Sequence, residues 1–144
     1  MRLFGIVVFG AILSCFAGLA IAIGVNGLII CRSDPAGCGL AQAYSVFAVP
    51  IGAILAMIVF GIAVLFKNRL TSIRNAAIGL VVLAWSLIAV GLGSDLSSGR
   101  TTRLEDILDL LQLILPFTAV VATQWFVLKT YLNRVALVTA GSLP

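Results

Sequence analysis

The sequence consists of four long apolar runs separated by short polar segments. The runs cover residues 3–30, 41–66, 75–93 and 104–128, and acidic residues occur only in the first turns of the fourth. Each run exceeds the length of about 18 apolar residues that marks a membrane-spanning helix. No run alternates at every second residue, as the strands of a membrane β-barrel do. We therefore predict an all-α integral membrane four-helix bundle, a single transmembrane domain over residues 1–144.

The composition agrees with a location inside a bilayer. Hydrophobic residues make up 62% of the chain and charged residues 10%, whereas an average soluble domain carries about 25% charged residues. The first apolar run also continues past two sites that resemble signal-peptide processing sites, at Cys15 and Ala22. A cleaved signal is normally followed by polar chain, so we expect the first helix to be retained.

The basic residues predict the orientation of the helices, because cytoplasmic loops are enriched in Lys and Arg. Three basic residues fall on one side of the predicted membrane, namely Arg32, Arg100 and Arg103, and six fall on the other, namely Arg2, Lys67, Arg69, Arg74, Lys129 and Arg134. Trp125 and Tyr131 fit an aromatic belt on the more basic side. We expect both termini to be cytoplasmic and loops 31–40 and 94–103 to be extracytoplasmic, in a bacterial inner (plasma) membrane.

Two of the three cysteines flank a turn in the first extracytoplasmic loop. Cys31 and Cys38 enclose the turn-forming segment Asp34-Pro35-Ala36-Gly37, on the side where a disulfide can persist. We predict a structural disulfide that stabilises the chain by about 2.5 kcal/mol. The competing interpretation is a redox-active pair, although the Cys-x-x-Cys spacing common in such centres is absent. Cys15 is expected to be a small packing residue.

The absence of histidine removes the usual residue for several kinds of chemistry. The chain has no His, the common ligand of haem and zinc and the common general base near neutral pH. The sequence also contains no hydrolase triad, metalloprotease motif or phosphate-binding loop. We expect no metal, no cofactor and no catalytic residue. The positive net charge is assigned to contacts with anionic lipid rather than nucleic acid.

The first helix carries small residues on one face. Gly10, Ser14, Gly18 and Ala22 recur every fourth residue, and such a stripe lets membrane helices pack closely. The stripe either packs within the chain or receives a helix from another subunit. Asn26 continues the same face near the outer end, where it could form a hydrogen bond with Gln42, worth about 0.6 kcal/mol.

The fourth helix combines a marked start with a polar face. Thr102 and Glu105 form a capping box, and Glu105, Asp109, Gln112 and Pro116 then share one side of the helix. Pro116 lacks an N–H group, so we expect a kink and a free carbonyl near Gln112. Asp109 has three possible roles: helix capping or pairing with Arg100 or Arg103, a proton or cation site, or a contact with a partner subunit.

Three functions are consistent with these features. The first is a non-enzymatic accessory or assembly subunit of a larger membrane complex, whose partners are lipid and either other membrane subunits or further copies of the chain. The second is a small homo-oligomeric transporter or channel with a polar path at Asp109, Gln112 and Pro116. The third is a thiol-quinone redox enzyme that uses Cys31 and Cys38.

Overall fold

The described part of the chain is helical along almost its whole length. The computed structural model describes residues 2–28, 35–66, 68–97 and 104–141, which form α1 (Arg2–Leu28), α2 (Pro35–Leu65), α3 (Arg69–Ser97) and α4 (Leu104–Gly141). Within these ranges, all four helices are long and apolar enough to cross a membrane. An all-α fold with four membrane-length helices is therefore confirmed.

Three helices extend well beyond the predicted apolar runs. The second helix begins at Pro35 instead of residue 41, the third covers Arg69–Ser97 instead of 75–93, and the fourth continues to Gly141 instead of ending at 128. The first is described as far as Leu28, and residues 29–30 of the predicted run lie outside the described residues. An apolar run marks the part of a helix that suits the hydrocarbon, whereas the backbone can continue its hydrogen bonds into the polar interface.

Local chemistry explains the early starts of α2 and α3. Proline is favoured in the first helical turn because its missing N–H group would have no partner there, and α2 begins at Pro35. The residue before α3 is Asn68, a residue type favoured at the N-cap. The Asn68 carbonyl accepts a 2.9 Å hydrogen bond from the Ser72 N–H group. The basic residues Arg69 and Arg74 therefore belong to the first turns of α3 rather than to a loop.

Two helices form the centre of the bundle, and the other two flank them. α2 and α4 pack against each other, and each also contacts both α1 and α3. Within the described residues, α1 and α3 do not touch. The core includes Phe60 from α2, Ile73 from α3 and Leu128 from α4, whose side chains are fully buried or nearly so. Every chain reversal therefore joins helices that pack side by side.

Three helices approach one another closely at Gly18 of α1. A Cβ atom on this residue would lie 2.6 Å from Cγ2 of Val120 in α4 and 2.8 Å from Cγ1 of Val49 in α2. Both distances are shorter than a carbon–carbon contact allows, and β-branched side chains have few alternative rotamers. Only a residue without a Cβ atom fits this position without displacing a neighbour.

This packing predicts opposite effects for two glycine substitutions on α1. Gly18→Ala should lower the free energy of unfolding by about 1–3 kcal/mol, because the added methyl group overpacks the core. Gly24 is exposed and a Cβ atom there meets nothing within 4 Å, so Gly24→Ala should leave stability unchanged or raise it slightly. Unfolding of both variants in mixed detergent micelles checks this, and equal stability of the two would contradict the assigned packing.

Candidate functional site

A buried hydrogen-bonded layer joins three helices in the middle of the bundle. Gln124 of α4 is 1% exposed, and its Nε2 atom donates 3.0 Å hydrogen bonds to Oγ of Ser14 in α1 and to the carbonyl of Ala53 in α2. The Ser14 hydroxyl donates in turn to the Ala11 carbonyl at 2.8 Å. One amide side chain thus connects α4 to α1 and α2 in the closely packed region.

A second polar layer lies nearer the end of the bundle where α1 finishes and α2 begins. The Nδ2 atom of Asn26 donates to Oγ of Ser45 at 3.1 Å and to the Gln42 carbonyl at 3.3 Å. The Nε2 atom of Gln42 donates to the Asn26 carbonyl at 3.3 Å, and the Ser45 hydroxyl donates to the Gln42 carbonyl at 2.8 Å. The predicted contact between Asn26 and Gln42 is present, with each side chain bonded to the other residue's main chain.

Gln112 of α4 is buried at the level of this second layer, where no described residue forms a hydrogen bond with its side chain. The contacts of Gly10 with Val127 and of Gly18 with Val120 set an antiparallel register, which places Gln112 opposite the turn of α1 that holds Asn26. The Gln112 side chain is 1% exposed, and among the described residues neither its Nε2 nor its Oε1 atom has a partner. A buried polar group left unpaired costs about 1–3 kcal/mol.

The chain matches no protein-family model, no curated protein and no solved structure.

The structure describes only some of the other residues that were predicted to form the polar face of α4. Pro116 is buried beside Gln112 on the inner face, and α4 continues as one helix through it. Asp109 belongs to α4, but its side chain lies outside the described residues, as does that of Glu105.

The predicted disulfide also falls largely outside the described residues. Cys31 lies outside them, and for Cys38 the structure describes only its position in the first turns of α2. The disulfide therefore stays a prediction.

The small-residue stripe of α1 packs inside the chain. Gly10, Ser14, Gly18 and Ala22 are all buried, and the nearest neighbours of the two glycines belong to α4 and α2. The polar layer at Gln124 meets the same stripe at Ser14. The described contacts thus correspond to intramolecular packing, the first of the two interpretations of this stripe.

Sequence reasoning missed Gln124, although the pattern contained a signal for it. The face that carries Gln112 and Pro116 continues at four-residue intervals through Val120 to Gln124, and all four side chains are buried. The predicted polar face stopped at Pro116 because the intervening Val120 is apolar. Following the helical period alone would have reached the residue that forms the hydrogen bonds.

Sequence reasoning also missed a small-residue stripe on α3. Gly79, Ser86 and Gly93 recur every seventh residue, and all three are exposed. A Cβ atom at Gly79 or Gly93 would meet nothing within 4 Å. The Ser86 hydroxyl donates to carbonyls of its own helix, those of Val82 at 2.7 Å and Leu83 at 3.0 Å. We call this set of three residues the α3 stripe; nothing in the described chain packs against its two glycines.

The two buried glutamines should respond differently to replacement by leucine. Gln124→Leu removes two hydrogen bonds between helices and should lower the free energy of unfolding by about 1 kcal/mol. Gln112→Leu removes an amide without a partner, so stability should stay the same or rise by about 1–3 kcal/mol. Parallel unfolding of both variants in detergent micelles measures the difference, and a larger loss for Gln112→Leu would show that this amide is paired.

Proposed function

We propose that the chain is a non-enzymatic accessory or assembly subunit of a larger membrane complex, and that a transmembrane helix of another subunit packs on α3. The observation that carries the proposal is the exposed α3 stripe. Small residues let the backbones of membrane helices approach closely, which is where van der Waals packing between such helices is gained. The corresponding stripe on α1 is occupied by the chain's own helices, whereas the glycines of the α3 stripe have open space beside them.

The shallow embedding of α3 supports the same proposal. Only 11% of its most apolar window is buried, compared with 33% to 39% in the other three helices. The helix is held by a narrow set of contacts that includes Ile73 and Leu80. The bonds of Ser86 to its own helix leave the stripe without an unpaired hydroxyl. The face can therefore meet lipid before assembly and a helix afterwards.

Large substitutions on the α3 stripe test the proposal. Gly79→Leu and Ser86→Leu should abolish co-purification of the partner subunit from mild detergent while leaving the thermal stability of the chain unchanged, since both positions are exposed. Gly24→Leu provides the matched control, because Gly24 is an equally exposed glycine on α1.

The mass and composition of the purified complex decide between outcomes. A second polypeptide at fixed stoichiometry that is lost with both α3 variants and retained with Gly24→Leu supports the proposal. A complex of this chain alone would favour the transporter hypothesis instead. Retention of the second polypeptide by both α3 variants would rule out docking on this stripe.

The second candidate function is a small transporter or channel, and the buried amide of Gln112, which has no partner among the described residues, favours it. Polar groups within membrane helices often mark a substrate path, and Pro116 lies one turn further along the same buried face. Because these side chains point into the chain's own bundle, a path past them would run through one copy rather than between copies. Asp109, one turn before Gln112 on the same face, would lie at its entrance.

A flux assay in vesicles tests this second candidate. Asp109→Asn and Gln112→Leu should each reduce ion or proton flux at least tenfold while the chain still assembles, because the first removes a carboxylate and the second a polar amide from the path. Gln124→Leu serves as a control for loss of a buried amide elsewhere on the same face. Flux that is unchanged in the first two variants would exclude the path.

The proposal retains the orientation predicted from the basic residues. Both termini are assigned to the cytoplasm of a bacterial cell, and residues 31–40 and 94–103, which include the first turns of α2 and the last turn of α3, to the outer side of its inner membrane, with Cys31 and Cys38 joined in a structural disulfide. Its support is the count of Lys and Arg on the two sides. The redox hypothesis is not carried further, because no contact of the described residues supports it.

A further inference from the structure

A basic pocket and an apolar groove lie next to each other between α3 and α4. The basic pocket has a volume of about 260 Å³, and its polar lining comprises Thr71 and Arg74 of α3 with Lys129 and Asn133 of α4. The apolar groove, about 400 Å³, lies between the same helices and is lined by residues such as Ala77, Val81 and Ala122. Arg74 and Trp125 line both spaces, so the two adjoin at these residues.

Among the described residues, the acidic ones lie at the opposite end of the bundle from this pocket. Asp95 lies near the end of α3, and Glu105, Asp106 and Asp109 lie in the first turns of α4. Arg74 lies near the start of α3 and Lys129 in the second half of α4. Within the described part of the chain, the two positive charges of the pocket therefore have no acidic residue at their end of the bundle, and the pocket is suited to an anion.

Trp125 stands at the boundary between the charged and the apolar parts. The Nζ atom of Lys129 lies 4.7 Å from the centroid of its ring, a cation–π distance. Tryptophan is enriched at the level of lipid headgroups, where one side of the ring meets hydrocarbon and the other meets polar groups. The lining thus changes from basic to apolar beside Trp125, in the same order as a phospholipid changes from phosphate to acyl chain.

We propose that the pocket and the groove together bind one anionic phospholipid, with its phosphate between Arg74 and Lys129 and one acyl chain in the groove along Ala77, Val81 and Ala122. Arginine offers a fork of N–H donors that matches phosphate oxygens, and lysine adds a compact positive charge. Basic pockets between transmembrane helices are a known setting for acidic headgroups. The adjoining groove selects an amphiphile over a soluble anion, because only a lipid fills both spaces.

Native mass spectrometry of the purified chain tests the headgroup contact. With phosphatidylglycerol and phosphatidylcholine of identical acyl chains, the wild-type chain should retain one phosphatidylglycerol at least tenfold more strongly. The double variant Arg74→Gln/Lys129→Gln should lose this preference. Arg134→Gln is the matched control, because Arg134 is an exposed basic residue on the same helix end that does not line the pocket. If Arg134→Gln lost the preference for phosphatidylglycerol to the same extent, general surface charge would explain the preference, and the proposed site would be overturned.

A second pair of variants tests the groove. Ala122→Trp fills the apolar groove and leaves both charges in place, so retention of the lipid should fall about tenfold. Ala20→Trp, at an exposed alanine of α1 that lines neither space, should have no effect. Displacement of the lipid by millimolar inorganic phosphate, together with full retention by Ala122→Trp, would identify a soluble-anion site and overturn the proposal.

Discussion

The close approach of α1, α2 and α4 at Gly18 is the constraint on which the rest of the bundle depends. Inside a bilayer, lipid tails are as apolar as leucine, so helices associate through van der Waals packing and hydrogen bonds rather than through exclusion of water. A missing Cβ atom at Gly18 allows Val120 and Val49 to reach the α1 backbone. That approach also brings Ser14 and the Ala53 carbonyl within 3.0 Å of Gln124.

The same constraint explains why α3 is held differently from α1. Both helices pack against α2 and α4, but the small-residue stripe of α1 is buried, whereas the α3 stripe is exposed. The buried contacts of α3 include large side chains such as Ile73, and clefts remain between α3 and α4. One of these clefts meets basic residues that have no described acidic residue at their end of the bundle, and this combination distinguishes it from a simple packing defect.

Sequence patterns predicted the number and type of helices, because charge is excluded from hydrocarbon wherever the chain crosses it. The patterns predicted the helix ends less accurately. α2 begins at Pro35 and α3 at Arg69, before the apolar runs start, because a helix does not require apolar residues at its ends. The inward face of α1 followed from its period of four. The sequence did not predict that Gln124 forms hydrogen bonds whereas the Gln112 side chain has no partner among the described residues. Hydrogen bonding depends on which atoms of other helices lie opposite a side chain, and the pattern of one helix does not determine its alignment with the others.

The distance between the two polar layers determines whether water and ions could pass through the bundle. Gln112 and Gln124 lie twelve residues apart on one face, or about 18 Å along the helix axis. The face between them is formed by Pro116 and Val120, both fully buried. An apolar constriction of this kind closes a path to water and ions, so conduction would require α4 to move away from α1 at Gly18. An accessory subunit needs no such movement, and the close packing at Gly18 resists it. The close packing at this position therefore favours a static role over a transport cycle.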